Sequence, residues 1–218
     1  MNKKEKILLG KTAVERLKQV YPDAVCALEW GGRAEDGWRL MVMGRLSAQC
    51  TDARVNIVCR ELFAKYPTLQ SIADARIEDV EDIVRPCGLY HMKAKDIVAA
   101  CAMLVRDFDG VVPDNMEDLL KLSGVGRKIA NLLLGDLYKK PAIVADTHCI
   151  RICGRLGFYD ENLKDPVKVE KIMTELIEPD EQSDFCHRIV QFGRDTCSAR
   201  APQCNNCPLN DICKGKRT

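Results

Sequence analysis

The spacing of apolar residues is the feature that most constrains how this chain can fold. Apolar side chains recur three and four residues apart, as in Val55, Val58 and Leu62 and again in Ile129 and Leu133. This spacing places them on one face of an α-helix. Breaks containing proline or glycine divide the chain into segments of helix length, and few segments alternate as strands do. The sequence therefore predicts an all-α fold.

A group of cysteines near the C-terminus suggests a metal centre. Its four members are Cys197, Cys204, Cys207 and Cys213. Six, two and five residues separate them, a spacing that suits thiolates around one centre. Soft thiolate ligands select iron–sulfur clusters or zinc. A structural zinc site usually pairs its cysteines as two close doublets, so the spacing favours a cluster, with zinc and disulfides as the alternatives.

The rest of the composition indicates an ordinary folded protein. The other eight cysteines are scattered, mostly in apolar surroundings, which is typical of buried thiols in a reducing compartment. The N-terminal segment is rich in lysine and has only a short apolar run, so neither a secretory signal nor a membrane span is expected. We therefore expect a cytoplasmic protein with no membrane partner.

The net charge of +1 hides an uneven distribution. Between Lys121 and Arg155 there are seven basic residues and two acidic ones, whereas Asp160 to Asp184 contains nine acidic residues and three lysines. The first segment is compatible with an anion-binding face, although such charge runs are more often only solvated surface.

The basic segment contains a glycine turn between two predicted helices. Gly124 and Gly126 lie in the turn, and Lys128 follows in the first turn of the second helix. Glycines let the backbone approach a ligand closely, and the free amides at a helix N-terminus attract phosphate. Taken alone, such a turn is more often a plain connection between helices.

Several motifs together resemble the endonuclease III family of helix-hairpin-helix DNA glycosylases. The motifs are, in chain order, Leu46-Ser47-Ala48-Gln49-Cys50-Thr51-Asp52, Gly88-Leu89-Tyr90, Lys93-Ala94, the glycine hairpin, Asp146-Thr147-His148 and the cysteine tail. The resemblance covers nearly the whole chain. It implies that the four tail cysteines hold a [4Fe-4S] cluster with a structural role.

The resemblance also implies an architecture and a partner. It predicts two helical lobes: a six-helix barrel over residues 28–140, and a cluster lobe formed by residues 1–27 and 141–218. A monomer is expected, with double-stranded DNA that carries a damaged base or an abasic site bound in the cleft between the lobes.

Two residues match the catalytic pair of the family. Lys128 matches the lysine that attacks the sugar of the damaged nucleotide and forms a Schiff base. Asp146 matches the aspartate that stabilises the positively charged sugar. From the residues alone, Lys128 would more often be a phosphate contact and Asp146 a helix cap. His148 is expected to pack behind Asp146 rather than to transfer protons.

Other positions match residues that contact DNA. Gln49 and Leu89 match the glutamine and the apolar wedge that fill the gap left by the extruded nucleotide. Without the resemblance, Leu89 would more often be a core leucine. The remaining predicted DNA contacts are Tyr90, His91, Gly124, Gly126 and Arg127.

The chain departs from the family pattern at several places, and two of these departures concern the hairpin and the lesion pocket. Serine stands at position 123, where the family hairpin usually has proline, and is expected to loosen the turn. Gly44-Arg45 replaces a normally apolar stretch, which is expected to bring a charge close to the lesion pocket and puts the substrate preference in doubt.

The resemblance therefore implies a bifunctional DNA glycosylase and AP lyase of base excision repair that excises oxidised pyrimidines and cleaves 3′ to the abasic site by β-elimination. Two alternatives remain. One is a related glycosylase for mismatched thymine, uracil or alkylated bases, and the other is a non-catalytic DNA-binding protein on the same scaffold.

Overall fold

A computed structural model describes residues 1–216 of the chain. This part contains eleven α-helices and no β-strand, which confirms the predicted all-α fold. The helices are α1 Lys3–Val20, α2 Gly37–Leu46, α3 Asp52–Lys65, α4 Leu69–Ala73, α5 Ile77–Val84, α6 Tyr90–Asp107, α7 Met116–Leu119, α8 Arg127–Asp136, α9 Thr147–Leu156, α10 Pro166–Leu176 and α11 Gln182–Asp195. None of these helices has the length and apolar character needed to cross a membrane.

The helices belong to two compact units. The first unit, Cys26–Tyr138, contains α2 to α8. The second combines Met1–Val25 with the chain from Lys139 onward, and contains α1 and α9 to α11. The N-terminal helix therefore folds with the C-terminal segments, which are distant in sequence.

Helix α2 forms the centre of the first unit. Eight of its ten residues are buried, as expected for a helix with neighbours on every side. Gly44 allows α8 to approach closely, because a Cβ built at this position would lie 3.2 Å from Ile129 Cγ2. At the other end of α2, a Cβ built on Gly37 would lie 2.5 Å from Leu137 Cδ2. The two glycines thus allow α2 to lie against α8 and the residue that follows it.

The second unit has its own apolar core, built from α1, α9, α10 and α11. Leu17, Met173, Phe185 and Ile189 are completely buried in it. The N-terminal helix also contacts the cysteine tail through Arg16, whose guanidinium donates to Pro208 O at 3.0 Å and pairs with Asp211. Contacts far apart in sequence therefore order the tail.

Candidate functional site

The glycine turn has the geometry of an anion-binding hairpin. Gly124 has a positive φ of 72°, a conformation that favours glycine, and Val125 N donates to Leu122 O at 3.1 Å to close the turn. Gly126 is the N-cap of α8, and no side chain caps the helix there. The first amides of a helix have no partner within it. The amides of the first turn of α8, together with the positive end of the helix dipole, can therefore bind a phosphate.

Lys128 lies in this first turn and is exposed, as is its neighbour Arg127. An exposed amine beside a phosphate-binding turn can reach a bound nucleotide without moving the backbone. The structure thus places Lys128, Arg127, Gly124 and Gly126 together on one edge of the first unit.

Arg45 and Ser123, two departures from the family pattern, both bind the same carboxylate behind the hairpin, that of Asp96. Arg45 Nη2 lies 2.7 Å from Asp96 Oδ2, and the other oxygen of Asp96 accepts a hydrogen bond of 2.9 Å from Ser123 Oγ. The Arg45 side chain is only 14% exposed. The charge of Arg45 is therefore paired with Asp96 in the protein interior. Ser123 gains a tether to α6 that a proline could not form.

Gly124 packs directly on this network. A Cβ at position 124 would lie 2.6 Å from Arg45 Nε and 2.8 Å from Asp96 Cβ. Glycine is therefore required here both by the positive φ and by the close approach of the ion pair. The Arg45–Asp96 pair forms a support under the turn that presents the α8 amides.

Asp146 is the N-cap of α9 in the second unit. Its Oδ1 accepts a hydrogen bond of 2.7 Å from Cys149 N, and its side chain is partly buried. The cap uses one of the two carboxylate oxygens and fixes the orientation of the group.

His148 lies on the same helix as Asp146 and contacts residues of α9 and α11. Its Nδ1 lies 3.1 Å from Arg151 Nη2, and Arg151 also donates to Cys197 O at 3.0 Å. A Cβ on Gly193 of α11 would lie 2.3 Å from His148 Nδ1. His148 therefore fills the space between α9 and α11, and Arg151 connects α9 to the first cysteine of the tail.

Gln49 and Leu89 lie in turns of the first unit and share an unusual backbone conformation. Both have positive φ, 55° for Gln49 and 50° for Leu89, although neither is glycine. Leu89 is 54% exposed and is therefore not a core residue. A left-handed conformation costs a leucine roughly 1–2 kcal/mol. Strained residues of this kind cluster at functional sites because the surrounding structure must hold them there.

The two residues after Leu89 form an aromatic pair in which Tyr90 is partly buried and His91 is exposed. The rings of Tyr90 and His91 lie 4.0 Å apart, and the Arg85 guanidinium lies 5.0 Å above the Tyr90 ring. His91 Nδ1 is 2.7 Å from Glu81 Oε2. Arg85 was not predicted from the sequence. The only signal for it was its place beside the Pro86-Cys87-Gly88 break before Leu89.

The four tail cysteines line one apolar cavity in the second unit, together with Ile152, Phe192 and Leu209. Leu209 N donates to Cys207 Sγ at 3.4 Å. The buried Arg155 donates from Nη1 to Cys197 Sγ at 3.4 Å and to Ser198 O at 2.8 Å. A buried cation and an amide directed at sulfur are suited to stabilise thiolate charge.

The structure bears on the alternatives for these cysteines. In the part of the chain that the structure describes, none of the twelve cysteines is joined to another by a disulfide. Within residues 1–216, no three histidine, cysteine or acidic side chains converge as they would around one metal ion. The four tail cysteines line one cavity, and four thiolates are a donor set that fits an iron–sulfur cluster or a structural zinc ion.

Comparisons with known proteins agree with this geometry. Residues 42–179 match the family model described as HhH-GPD superfamily base excision DNA repair protein. Endonuclease III of Synechocystis sp. is 38% identical over 198 residues, which cover 90% of this chain and 88% of the relative. The chain belongs to the HhH-GPD superfamily of base excision DNA repair proteins. It is therefore an enzyme of base excision DNA repair, a DNA glycosylase and AP lyase of the endonuclease III type.

Solved structures show the same relationship. A structure of a trapped endonuclease III–DNA covalent intermediate matches with a TM-score of 0.88 and 38% identity, over 99% of this chain and 97% of the other. A thermostable thymine-DNA glycosylase matches with a TM-score of 0.81 and 20% identity, over 97% and 96%. At that identity the second match shows only a shared fold.

The support under the hairpin can be tested by a stability measurement. Arg45→Leu should lower the free energy of unfolding by about 2 kcal/mol, because the largely buried Asp96 carboxylate loses its cationic partner. The double variant Arg45→Leu/Asp96→Asn should cost less than the sum of the two single changes. Urea denaturation measures both quantities.

The matched control breaks an exposed ion pair of the same unit. Arg60 pairs with Glu29 at 2.8 Å, and their side chains are 71% and 59% exposed. Arg60→Leu should therefore cost at most about 1 kcal/mol. Equal losses for Arg45→Leu and Arg60→Leu would contradict a supporting role for the Arg45–Asp96 pair.

Proposed function

We propose that this family member removes oxidised pyrimidines from double-stranded DNA through a lysine Schiff base and then cleaves 3′ to the abasic site by β-elimination. The observation that carries the proposal is Lys128, an exposed amine in the first turn of α8, directly behind a phosphate-binding glycine hairpin. The lesion range is tested with duplexes that each carry one oxidised pyrimidine, mismatched thymine, uracil or alkylated purine. Preference for a lesion other than an oxidised pyrimidine would contradict the substrate assignment.

Lys128 is assigned the nucleophilic role. Its neutral Nζ attacks C1′ of the damaged nucleotide, and the base leaves with the electron pair of the glycosidic bond and takes up a proton. Opening of the sugar ring then gives the Schiff base. Loss of a C2′ proton breaks the C3′–O bond and releases the phosphate.

Asp146 is assigned the stabilising role. Its carboxylate would lower the energy of the positive charge that develops on the sugar as the base leaves. The hydrogen bond from Cys149 N holds the carboxylate in place before the reaction, so little reorganisation is needed. The capping interaction and the catalytic role can therefore coexist.

Gln49 and Leu89 are assigned to the gap left by the extruded nucleotide. Both are exposed and held in left-handed conformations, as expected for side chains that must project from a turn. Tyr90, His91 and Arg85 lie beside Leu89 and can contact the DNA backbone. The amides of the hairpin and Arg127 would bind a phosphate near Lys128.

The tail cysteines are assigned to a [4Fe-4S] cluster. They line one cavity, and a buried arginine donates to the sulfur of Cys197. When bound, the cluster supplies a covalent cross-link for a tail that has little apolar core of its own. Neither displacement of the base by Lys128 nor β-elimination requires a change of oxidation state, so the role proposed for the cluster is structural.

The cluster assignment is tested by colour and metal content. The purified protein should be yellow-brown, with broad absorbance near about 400 nm and stoichiometric iron. Cys204→Ser should make the iron labile and lower the thermal stability of the second unit. Cys26→Ser, a change at a partly buried cysteine outside the tail, should leave the colour intact. Stoichiometric zinc without iron would overturn the assignment.

The gap-filling assignment is tested by comparing two substrates. Gln49→Ala and Leu89→Gly should slow excision from a damaged duplex far more than cleavage of an abasic duplex, because gap filling matters most while a stacked base is leaving. Leu89→Gly should not lower thermal stability, since glycine relieves the left-handed strain and an exposed side chain is lost. Equal losses on both substrates would show that these residues only hold the fold.

The catalytic pair is tested by borohydride trapping on an abasic duplex. Lys128→Gln should abolish the trapped adduct while the hairpin amides still support DNA binding. Asp146→Asn should lower turnover by about a hundredfold or more and leave binding nearly unchanged. A trapped adduct with Lys128→Gln would identify another amine as the nucleophile. Loss of DNA binding with Asp146→Asn would point to a purely structural aspartate.

A further inference from the structure

Lys93 is a completely buried lysine near the start of α6. Its exposed fraction is 0%, whereas lysines are almost never fully buried unless their charge is satisfied. Burial lowers the pKa of Lys93, because the charged ammonium loses hydration there. The proposed reaction gives this residue no role. The partners of its amine must therefore explain its position.

The Lys93 amine donates to two backbone carbonyls from different parts of the first unit. Nζ lies 2.9 Å from Leu46 O and 2.9 Å from Cys87 O. Leu46 is the last residue of α2, and Cys87 ends the short 3-10 helix Arg85–Cys87. Both hydrogen bonds are buried. A charged donor makes such bonds stronger than ordinary amide bonds.

These two carbonyls begin the two turns that carry the proposed gap-filling residues. Leu46 precedes Gln49 by three residues, and Cys87 precedes Leu89 by two. The amide of Cys50, which would continue α2 by donating to Leu46 O, bonds Ser47 O at 3.1 Å instead. The chain therefore turns away from the helix at this point, and Lys93 supplies the donor that the Leu46 carbonyl would otherwise lack.

We propose that Lys93 is a positioning residue. It fixes the position of the turn that carries Gln49 relative to the turn that carries Leu89. Gln49 and Leu89 both have left-handed backbones, which would relax unless neighbouring contacts held them. One buried amine bonded to both turns couples their positions. Loss of either hydrogen bond would let one turn move independently of the other. This inference rests on the gap-filling role proposed above for Gln49 and Leu89.

The test uses Lys93→Met, which keeps the length of the apolar stem and removes both donors. Under single-turnover conditions, excision from a damaged duplex should fall about tenfold or more, the size expected for the loss of one to two buried hydrogen bonds. Cleavage of an abasic duplex should fall much less. A fluorescent base placed opposite the lesion should report slower or incomplete gap filling in Lys93→Met.

A double-mutant cycle separates positioning from general stability. If Lys93 acts through Leu89, the combined loss in Lys93→Met/Leu89→Gly should be smaller than the product of the two single losses. The matched control is Ile97→Ala, which empties a buried site one turn further along α6 and keeps both hydrogen bonds of Lys93. That variant should lose stability while keeping the wild-type ratio of excision to abasic cleavage.

The outcomes distinguish this inference from the proposed function. Equal losses on the two substrates, or independent effects in the cycle, would show that Lys93 only stabilises the fold. Should Lys93→Met not fold, Lys93→Gln serves instead, because its amide nitrogen lies one bond short of the lysine Nζ and cannot reach both carbonyls. It should give an intermediate ratio, and a wild-type ratio would overturn the inference. Absence of excision and of abasic cleavage by the wild-type protein would instead reject the proposed function.

Discussion

The burial of α2 on all sides is the constraint on which the first unit depends. Because Gly44 lets α8 pack closely against α2, the hairpin at the start of α8 is held at a defined distance from the core. Arg45, the next residue of α2, forms the ion pair on which the hairpin rests. The end of α2 leads into the turn that carries Gln49. One apolar helix therefore positions both the proposed phosphate-binding site and one of the proposed gap-filling residues.

Buried polar groups hold the regions where the backbone departs from regular helix. Asp96 connects α6 to Arg45 and to Ser123, while Lys93 of the same helix bonds the carbonyls that begin the Gln49 and Leu89 turns. A buried polar group is costly unless it is fully hydrogen-bonded, so each of these contacts specifies one arrangement of the turns. Helix α6 thus provides the polar contacts for turns whose own sequences are short and exposed.

In the second unit, polar contacts order the tail from Cys197, because the tail has little apolar surface to bury. Arg16 of α1 donates to Pro208 O and pairs with Asp211, and Arg155 of α9 donates to Ser198 O and Ala199 O. The hydrogen bond from the Arg16 guanidinium lowers the pKa of Asp211 to about 2. Arginine side chains from helices distant in sequence therefore hold the cysteines around their cavity.

The sequence by itself determined the all-α class and the family, because helical periodicity is local and the motifs follow one another in a distinctive order. It also predicted the hairpin and the likeness of Lys128 and Asp146 to a catalytic pair, whose roles remain predictions. The prediction of the buried face of α8 was less accurate. Leu133 is buried, but Ile129 is only partly buried, and Ala130 and Asn131 are buried as well. Which face is buried depends on the neighbouring helices as well as on periodicity.

Only the tertiary structure decided the pairing of the polar residues. Arg45 was expected to bring a charge near the lesion pocket, and Ser123 to loosen the turn. The structure instead joins both residues through Asp96, which lies 51 and 27 residues away from them in sequence. In the sequence, Lys93 was noted only as part of a motif. The carbonyls that accept its hydrogen bonds, Leu46 O and Cys87 O, come together only in the folded chain. Backbone carbonyls are present at every residue, so the sequence contains no signal for which of them a buried lysine will bind.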